Sequence, residues 1–228
     1  MEALKAAVLA ANLELPKRGL VSYTWGNVSG ISRDKGLVAI KPSGVKYHEM
    51  RVEDIVVVNL EGRVVEGTLK PSSDTPTHIA LYKAWPSVGG IAHTHSAFAA
   101  MWAQACRPIP CFGTTHADYY YGEVPCTREL EPEEILEEYE KNTGEVIAET
   151  YIGKDPLEVP GVLVAKHGPF TWGEGPMQAV DSSAVLEQIA KMALGTVLLS
   201  PSAEGVDQML LDKHFLRKHG QEAYYGQE

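Results

Sequence analysis

Gly89-Gly90-Ile91-Ala92-His93-Thr94-His95 is an apolar run that closes on two histidines, two residues apart. In a β-strand, side chains at i and i+2 point to one face. Read that way, His93 and His95 present two imidazoles to one point, as a strand gripping a divalent metal does. A second apolar run, Gly161-Val162-Leu163-Val164-Ala165-Lys166-His167-Gly168, ends in a third histidine. Three neutral imidazoles with an open position describe a catalytic metal site better than a closed structural one. Imidazole-rich ligation with one carboxylate favours Zn²⁺, with Mn²⁺ or Co²⁺ as substitutes. Asp74 is the candidate carboxylate, as a fourth ligand or a partner of one; its alternative role is to cap a helix at Thr75-Pro76. His48, His78 and His219 carry no such spacing and read as ordinary surface or core residues.

The segments on either side set the fold class. Residues 2–15 form an amphipathic pattern with Leu4, Val8, Ala11 and Leu15 on one stripe, stopped by Pro16 and Gly19. Strands are expected over 21–25, 37–41, 55–59 and 63–66, the last two as a hairpin through Leu60-Glu61-Gly62. A helix starts near Thr75-Pro76, where Pro suits the first turn, and ends before Pro86. The histidine strand runs into a helix at Ser96-Ala97-Phe98, with Ser96 as its N-cap. The acidic segment 129–140 reads as one exposed helix, opened by Pro132 and closed before Gly144. Residues 162–166 are a buried strand, Pro176 opens a long helix, and a last helix runs over 206–218 to Gly220. There is no repeat, low-complexity tract or linker. Strands interspersed with helices indicate one α/β domain over 1–228, a central mixed β-sheet flanked by helices.

Composition narrows the function. The 228 residues are 44% hydrophobic and 22% charged, with a formal net charge of −10. That charge argues against a nucleic-acid partner, since no basic field would collect a phosphate backbone. Three cysteines, Cys106, Cys111 and Cys126, have no CxxC spacing, which suggests reduced thiols and a cytoplasmic protein. Met1-Glu2-Ala3-Leu4-Lys5 has no signal-peptide pattern, and no apolar run is read as long enough to span a membrane, so no membrane partner is expected.

Three small-residue stretches suit an anion: Gly26-Asn27-Val28-Ser29-Gly30, Lys41-Pro42-Ser43-Gly44 and Lys70-Pro71-Ser72-Ser73-Asp74. Read as loops, each is an ordinary turn alone. Together they offer backbone N–H groups, hydroxyls and ammonium groups, the parts of a phosphate cradle. Lys41 is a compact point charge suited to a phosphate monoester. No P-loop or dinucleotide fingerprint is present.

These stretches, with Ser72-Ser73-Asp74-Thr75-Pro76-Thr77-His78, His93-Thr94-His95-Ser96 and Lys166-His167-Gly168, resemble the class II aldolase/epimerase superfamily. The likeness continues through Thr114-Thr115-His116-Ala117-Asp118, Tyr139-Glu140-Lys141-Asn142-Thr143-Gly144 and Leu216-Arg217-Lys218-His219-Gly220 to Tyr224-Tyr225-Gly226-Gln227. Those later segments are similar to the branch that epimerises a ketopentose phosphate at C4. The resemblance implies a zinc ion, a small sugar-phosphate substrate, and a homotetramer with active sites between subunits. It implies that His93, His95 and His167 bind the metal, with Asp74 on or beside it. Gly26, Asn27, Ser43, Gly44, Ser72 and Ser73 would hold the phosphate, with Lys41 nearby. Asp118 and Tyr225 would be the acid/base pair, Tyr225 reaching in from a neighbouring subunit. Thr114, His116, Glu140, His214 and Arg217 would line or support the pocket.

The reaction so implied converts L-ribulose 5-phosphate to D-xylulose 5-phosphate, on an arabinose or ascorbate route. C4 of the substrate carries no acidic C–H, because the carbonyl is at C2. Retro-aldol cleavage of C3–C4, rotation of the aldehyde and re-addition invert C4 through an enediolate whose charge a metal stabilises. The rival readings are a class II aldolase that releases the fragments, a superfamily dehydratase, a non-catalytic adducin-like domain and a passive zinc store. Sibling aldolases carry Glu at the position of Asp74. An adducin-like domain would have lost the histidines, and a zinc store would leave the phosphate stretches unexplained.

Overall fold

The computed structural model describes residues 1–220 and 222–225. In chain order the elements are α1 (Glu2–Lys17), β1 (Asn27–Ser32), β2 (Leu37–Ile40), β3 (Val56–Asn59), β4 (Val64–Glu66), α2 (Thr75–Ala84), β5 (Gly90–His93) and α3 (Ala97–Gln104). They continue with α4 (Thr114–Ala117), α5 (Pro132–Leu136), α6 (Tyr139–Thr150), β6 (Gly161–Leu163), β7 (Pro169–Gly173), α7 (Pro176–Leu199) and α8 (Gln208–His219).

The strands form one sheet in the order β4-β3-β2-β1-β5-β7-β6. Its six ladders are antiparallel, and the parallel component of the expected mixed sheet is a single bridge between Cys126 and Leu163. Both faces are covered, so β2 and β3 read as nearly unbroken apolar runs, whereas the central β1 carries Asn27 and Ser29. Val56 and Val58 face a core shared with Tyr82 of α2, Trp85 just past its end and Ile147 of α6, while Val57 faces Val8 and Leu15 of α1 and Val180 of α7. Asn12 fastens α1 to the sheet. Its Nδ2 donates to the carbonyls of Val8 and Val28 at 2.8 and 3.0 Å, and its Oδ1 accepts from the Val28 N–H at 2.9 Å. Deep inside the fold, each of these polar groups has a partner, as burial demands.

Several elements differ from the sequence reading. Residues 21–25 are a turn, in which the Trp25 N–H donates to the Ser22 carbonyl and Tyr23 has a φ of 53°. Their aromatic and β-branched composition imitated a strand. The true strand starts at Asn27, so Gly26–Gly30, read as a loop, is mostly β1; its polar side chains are buried against α2 and not turned to water. The acidic helix breaks at Glu138, which adopts a left-handed φ of 50°, into α5 and α6. Gly144 does not stop it. A Cβ there would lie 2.7 Å from the Cβ of Ala80, so this glycine lets α6 press against α2. β7, unforeseen behind Pro169, sits between β5 and β6, and β6 ends at Leu163. Pro16 lies inside the last turn of α1, which ends at Lys17. Contrary to the expectation about apolar runs, α7 is long and apolar enough to cross a membrane by length and composition. Its inner residues, Ala179, Val180, Leu186 and Ile189, instead fill the core against the sheet.

Candidate active site

The three histidines converge. His93 is the last residue of β5, opposite Asn27 of β1 and Phe170 of β7 in the ladder register. Its ring stacks on Phe170 with centroids 4.1 Å apart. Its Nδ1–H donates to the Pro169 carbonyl at 3.0 Å, which leaves Nε2 with a lone pair. His95 lies just past the strand, yet its Nε2 is 3.1 Å from that of His93. His167 enters on the loop between β6 and β7, its Nδ1 3.3 Å from the Tyr139 hydroxyl. Ligand nitrogens of all three lie within 4.8 Å of one another. A tetrahedral centre with metal–nitrogen bonds of 2.0–2.1 Å separates its ligands by roughly 3.3 Å, so the donor set fits a divalent metal. Burial, together with the neighbouring imidazoles, pushes His167 down to about 3 and lowers His95. Both are therefore neutral at pH 7, with lone pairs to offer.

Asp74 and Asn27 form the wall beside this group. Asn27 Nδ2 donates to Asp74 Oδ2 at 2.6 Å and to Ser72 Oγ at 3.0 Å. The group of three within 4.8 Å does not include Asp74. Asp74 occupies the N-cap position of α2 but makes no side-chain capping bond. Burial raises its pKa, but His93, His78 and the Asn27 hydrogen bond outweigh that and hold it below the usual range. One and two turns along α2, His78 and Tyr82 continue the same line: Ser29 Oγ lies 2.7 Å from His78 Nδ1 and 2.8 Å from the Tyr82 hydroxyl. Of the surface and core readings left open for it, His78 takes the core one.

The small-residue stretches pair up next to it. Pro42 and Pro71 form a bridge, the Ser43 N–H donates to the Lys70 carbonyl at 2.9 Å, and the Ser72 N–H donates to the Lys41 carbonyl at 3.0 Å. Gly44 follows with a φ of 70°. Gly26 has a φ of 74°, and a Cβ on it would sit 2.7 Å from the His93 carbonyl oxygen; only glycine lets the chain pass there. Lys41 is buried under this turn. Its Nζ donates to the Thr24 and Pro42 carbonyls at 3.4 and 3.3 Å and stands 5.0 Å over the Tyr47 ring. Burial alone pushes it down to about 8. Gly26, Ser73, Asp74, Tyr139, Glu140 and the three histidines line a cleft of about 490 Å³.

Asp118 belongs to a second cluster. It caps the end of α4 and meets α8. Arg217 Nε and Nη2 donate to its carboxylate at 3.1 and 2.8 Å, His214 Nδ1 lies 3.0 Å away, and Lys218 Nζ 3.7 Å. Burial works against ionisation, but the His214 and Arg217 hydrogen bonds and the Lys218 charge keep Asp118 a carboxylate. Tyr225 folds back on the same group, with the Arg217 guanidinium 4.7 Å over its ring. Its N–H donates to the Arg217 carbonyl at 3.1 Å.

Residues 6–194 match the Class II Aldolase and Adducin N-terminal domain. The chain belongs to this family. It is 54% identical over 228 residues, the whole of both chains, to the L-ribulose-5-phosphate 4-epimerase UlaF of Salmonella paratyphi C, and equally to that of Salmonella typhi. Those relatives are isomerases. Among solved structures it resembles an L-fuculose 1-phosphate aldolase, with a TM-score of 0.79, 24% identity, and 93% and 94% of the two chains covered. The L-fuculose 1-phosphate aldolase of Glaciozyma antarctica PI12 follows at a TM-score of 0.74 and 21% identity, with 97% and 84% covered. At that distance the likeness is one of fold.

Within this class II aldolase fold, the candidate residues therefore fall into three groups. The histidines, Asp74, Gly26, Ser73 and Glu140 share the cleft; Asn27, Ser43, Gly44 and Ser72 sit behind or beside it. Asp118, His214, Arg217 and Tyr225 share the second cluster and do not line that cleft. Thr114 and His116 line a separate, smaller cavity of about 250 Å³ with residues of α7. His116 is buried there, donating from Nε2 to the Gly122 carbonyl at 2.8 Å and pushed down to about 4 by desolvation. Tyr139 was assigned no role from sequence. Its place after the Glu138 break, three residues past a helix end, puts it against His167, and spacing alone carries no signal of that.

Proposed function

We propose that this chain is a zinc-dependent 4-epimerase of L-ribulose 5-phosphate, giving D-xylulose 5-phosphate by retro-aldol cleavage and re-addition. The observation that carries the reading is the three-imidazole group beside the Ser43 and Ser72 stretches, in a chain 54% identical along its whole length to epimerases of that name. His93, His95 and His167 would hold the metal, with Asp74 as its neighbour. When bound, the ion supplies Lewis-acid stabilisation of the charge that develops beside the carbonyl, worth several kcal/mol.

The remaining work falls to the chain. Asn27, Ser43, Gly44, Ser72 and Ser73, with Lys41 behind them, would hold the phosphate and so keep the aldehyde fragment in place while it turns. Asp118, ionised by Arg217 and His214, would take or return the C4 hydroxyl proton on one face, and Tyr225 on the other. Both contact Arg217 in one chain and neither lines the cleft, so the expectation that Tyr225 alone reaches in from a neighbour becomes one in which both do. This favours a homotetramer in which the cluster of one subunit closes the cleft of the next, completing the pocket with Glu140. Retained histidines and the paired phosphate stretches speak against an adducin-like or storage role.

The direct test gives the zinc-loaded protein L-ribulose 5-phosphate and follows the products by NMR. Conversion to D-xylulose 5-phosphate, abolished by chelator, is the expected result. Accumulation of dihydroxyacetone and glycolaldehyde phosphate without the epimer would assign an aldolase instead.

A further inference from the structure

Glu187 lies on α7, yet it binds the first turn of α3. Its Oε1 accepts from the Phe98 N–H at 2.9 Å and its Oε2 from the Ala99 N–H at 3.0 Å. Those are the second and third residues of a helix whose first residue, Ala97, stands two positions after His95. An N-cap side chain ordinarily accepts from these same donors. Ser96 occupies the N-cap position and is of the right type, but it makes no such bond. Its Oγ, like the Oγ1 of Thr94, is buried without a partner. The carboxylate of a distant helix has taken over the role of the local hydroxyl, and it adds a negative charge where the helix dipole favours one. One turn further along α7, Lys191 Nζ stands 5.4 Å over the Phe98 ring. Two successive turns of α7 thus grip one turn of α3.

This matters because the three histidines are held differently. His93 is fixed by the ladder, the Phe170 stack and the Pro169 carbonyl. His167 has Tyr139. Among the described residues, His95 has no hydrogen-bond partner except His93 itself. Its position is set by its backbone, anchored by β5 on one side and by the start of α3 on the other.

We infer that Glu187 is a positioning residue for the metal centre: by fixing the N-terminus of α3 from α7, it sets where His95 Nε2 stands relative to His93. The inference rests on the three histidines binding metal. The test measures Zn²⁺ affinity by competition with a chromophoric chelator, and the visible spectrum of the Co²⁺-loaded protein, for wild type, Glu187→Ala, Glu187→Gln and Ser96→Ala. Glu187→Ala is expected to weaken Zn²⁺ binding about tenfold or more and to change the Co²⁺ spectrum, as loss of support behind a ligand does. Glu187→Gln, which keeps one acceptor oxygen, falls between. Ser96→Ala leaves both readouts unchanged. Wild-type affinity and spectrum in Glu187→Ala, even with a lower melting temperature, overturn the inference. If Glu187→Ala does not fold, wild-type values in Glu187→Gln do so. A wild-type chain that takes up neither ion overturns the metal centre and the clamp together, whereas a metal-binding chain indifferent to Glu187 overturns the clamp alone.

Discussion

The histidine cleft and the Asp118 cluster are built by different forces. In the cleft, position follows from the sheet. Asn27, His93 and Phe170 are register partners on three adjacent strands, and their side chains are buried. Aromatic stacking and hydrogen bonds to carbonyls do the holding, and salt screens these little. The Asp118 cluster joins the end of α4 to α8 by ion pairs between mostly buried side chains, and Tyr225, 58% exposed, rests on them by a cation–π contact. Ion pairs weaken with ionic strength more than stacking and carbonyl hydrogen bonds do, and the exposed Tyr225 ring costs little to rearrange. One region is preformed within the subunit. The other is suited to being completed from outside, as the proposed closing of another subunit's cleft would require.

The sharpest way to break that contrast is to remove a ligand. His95→Asn is expected to abolish tight metal binding and lower turnover by roughly 10³-fold, given several kcal/mol of Lewis-acid stabilisation. Metal content and NMR-followed turnover check it; full activity in a metal-free variant would remove the centre from the chemistry. Next in size, Asp118→Asn and Tyr225→Phe should each cut turnover by about 100-fold while leaving metal affinity as in wild type. A fall in metal affinity in either variant would mean that the two regions are one unit. Normal turnover in both would dismiss the cluster from the reaction.

The smallest expected effect concerns Lys41. Its folded pKa is depressed to about 8 by burial, so its ammonium is charged below that pH and lost as pH rises through it. A phosphate dianion held by that charge binds progressively worse above pH 8. The profile of kcat/KM, which reports the free enzyme, should descend there, mainly through KM by about tenfold. Lys41→Met should lower the plateau and erase the descent. A descent that persists in Lys41→Met belongs to another group.

The same contrast governs what the sequence reveals. The convergence of His93 and His95 was legible from their local spacing, although β5 ends at His93 and His95 reaches the same point from just beyond the strand. The helices at Thr75 and Pro176 were legible from proline at their first turns. The Asp118 cluster was visible only through family resemblance, because its partners are about a hundred residues away and helix ends meet by tertiary packing. Turn-forming composition misled twice, and for one reason. The Asn, Ser and Gly of β1 satisfy their polarity sideways, onto Asp74, His78 and Tyr82, and not in a turn. Gly144 serves close approach and not helix ending. Glu187 was invisible because Ser96 supplied a complete local explanation for the start of α3.

The register that aligns Asn27, His93 and Phe170 also limits how relatives of this chain can diverge. Adding or deleting one residue within β5 would turn His93 toward α1 and α7 and bring Ala92 to the metal side. A two-residue change would restore the face but move the imidazole about 7 Å along the strand, away from His167. Length variation is therefore expected at places such as the β3–β4 hairpin at the sheet's edge, and the three inner strands at the centre are expected to keep their residue count.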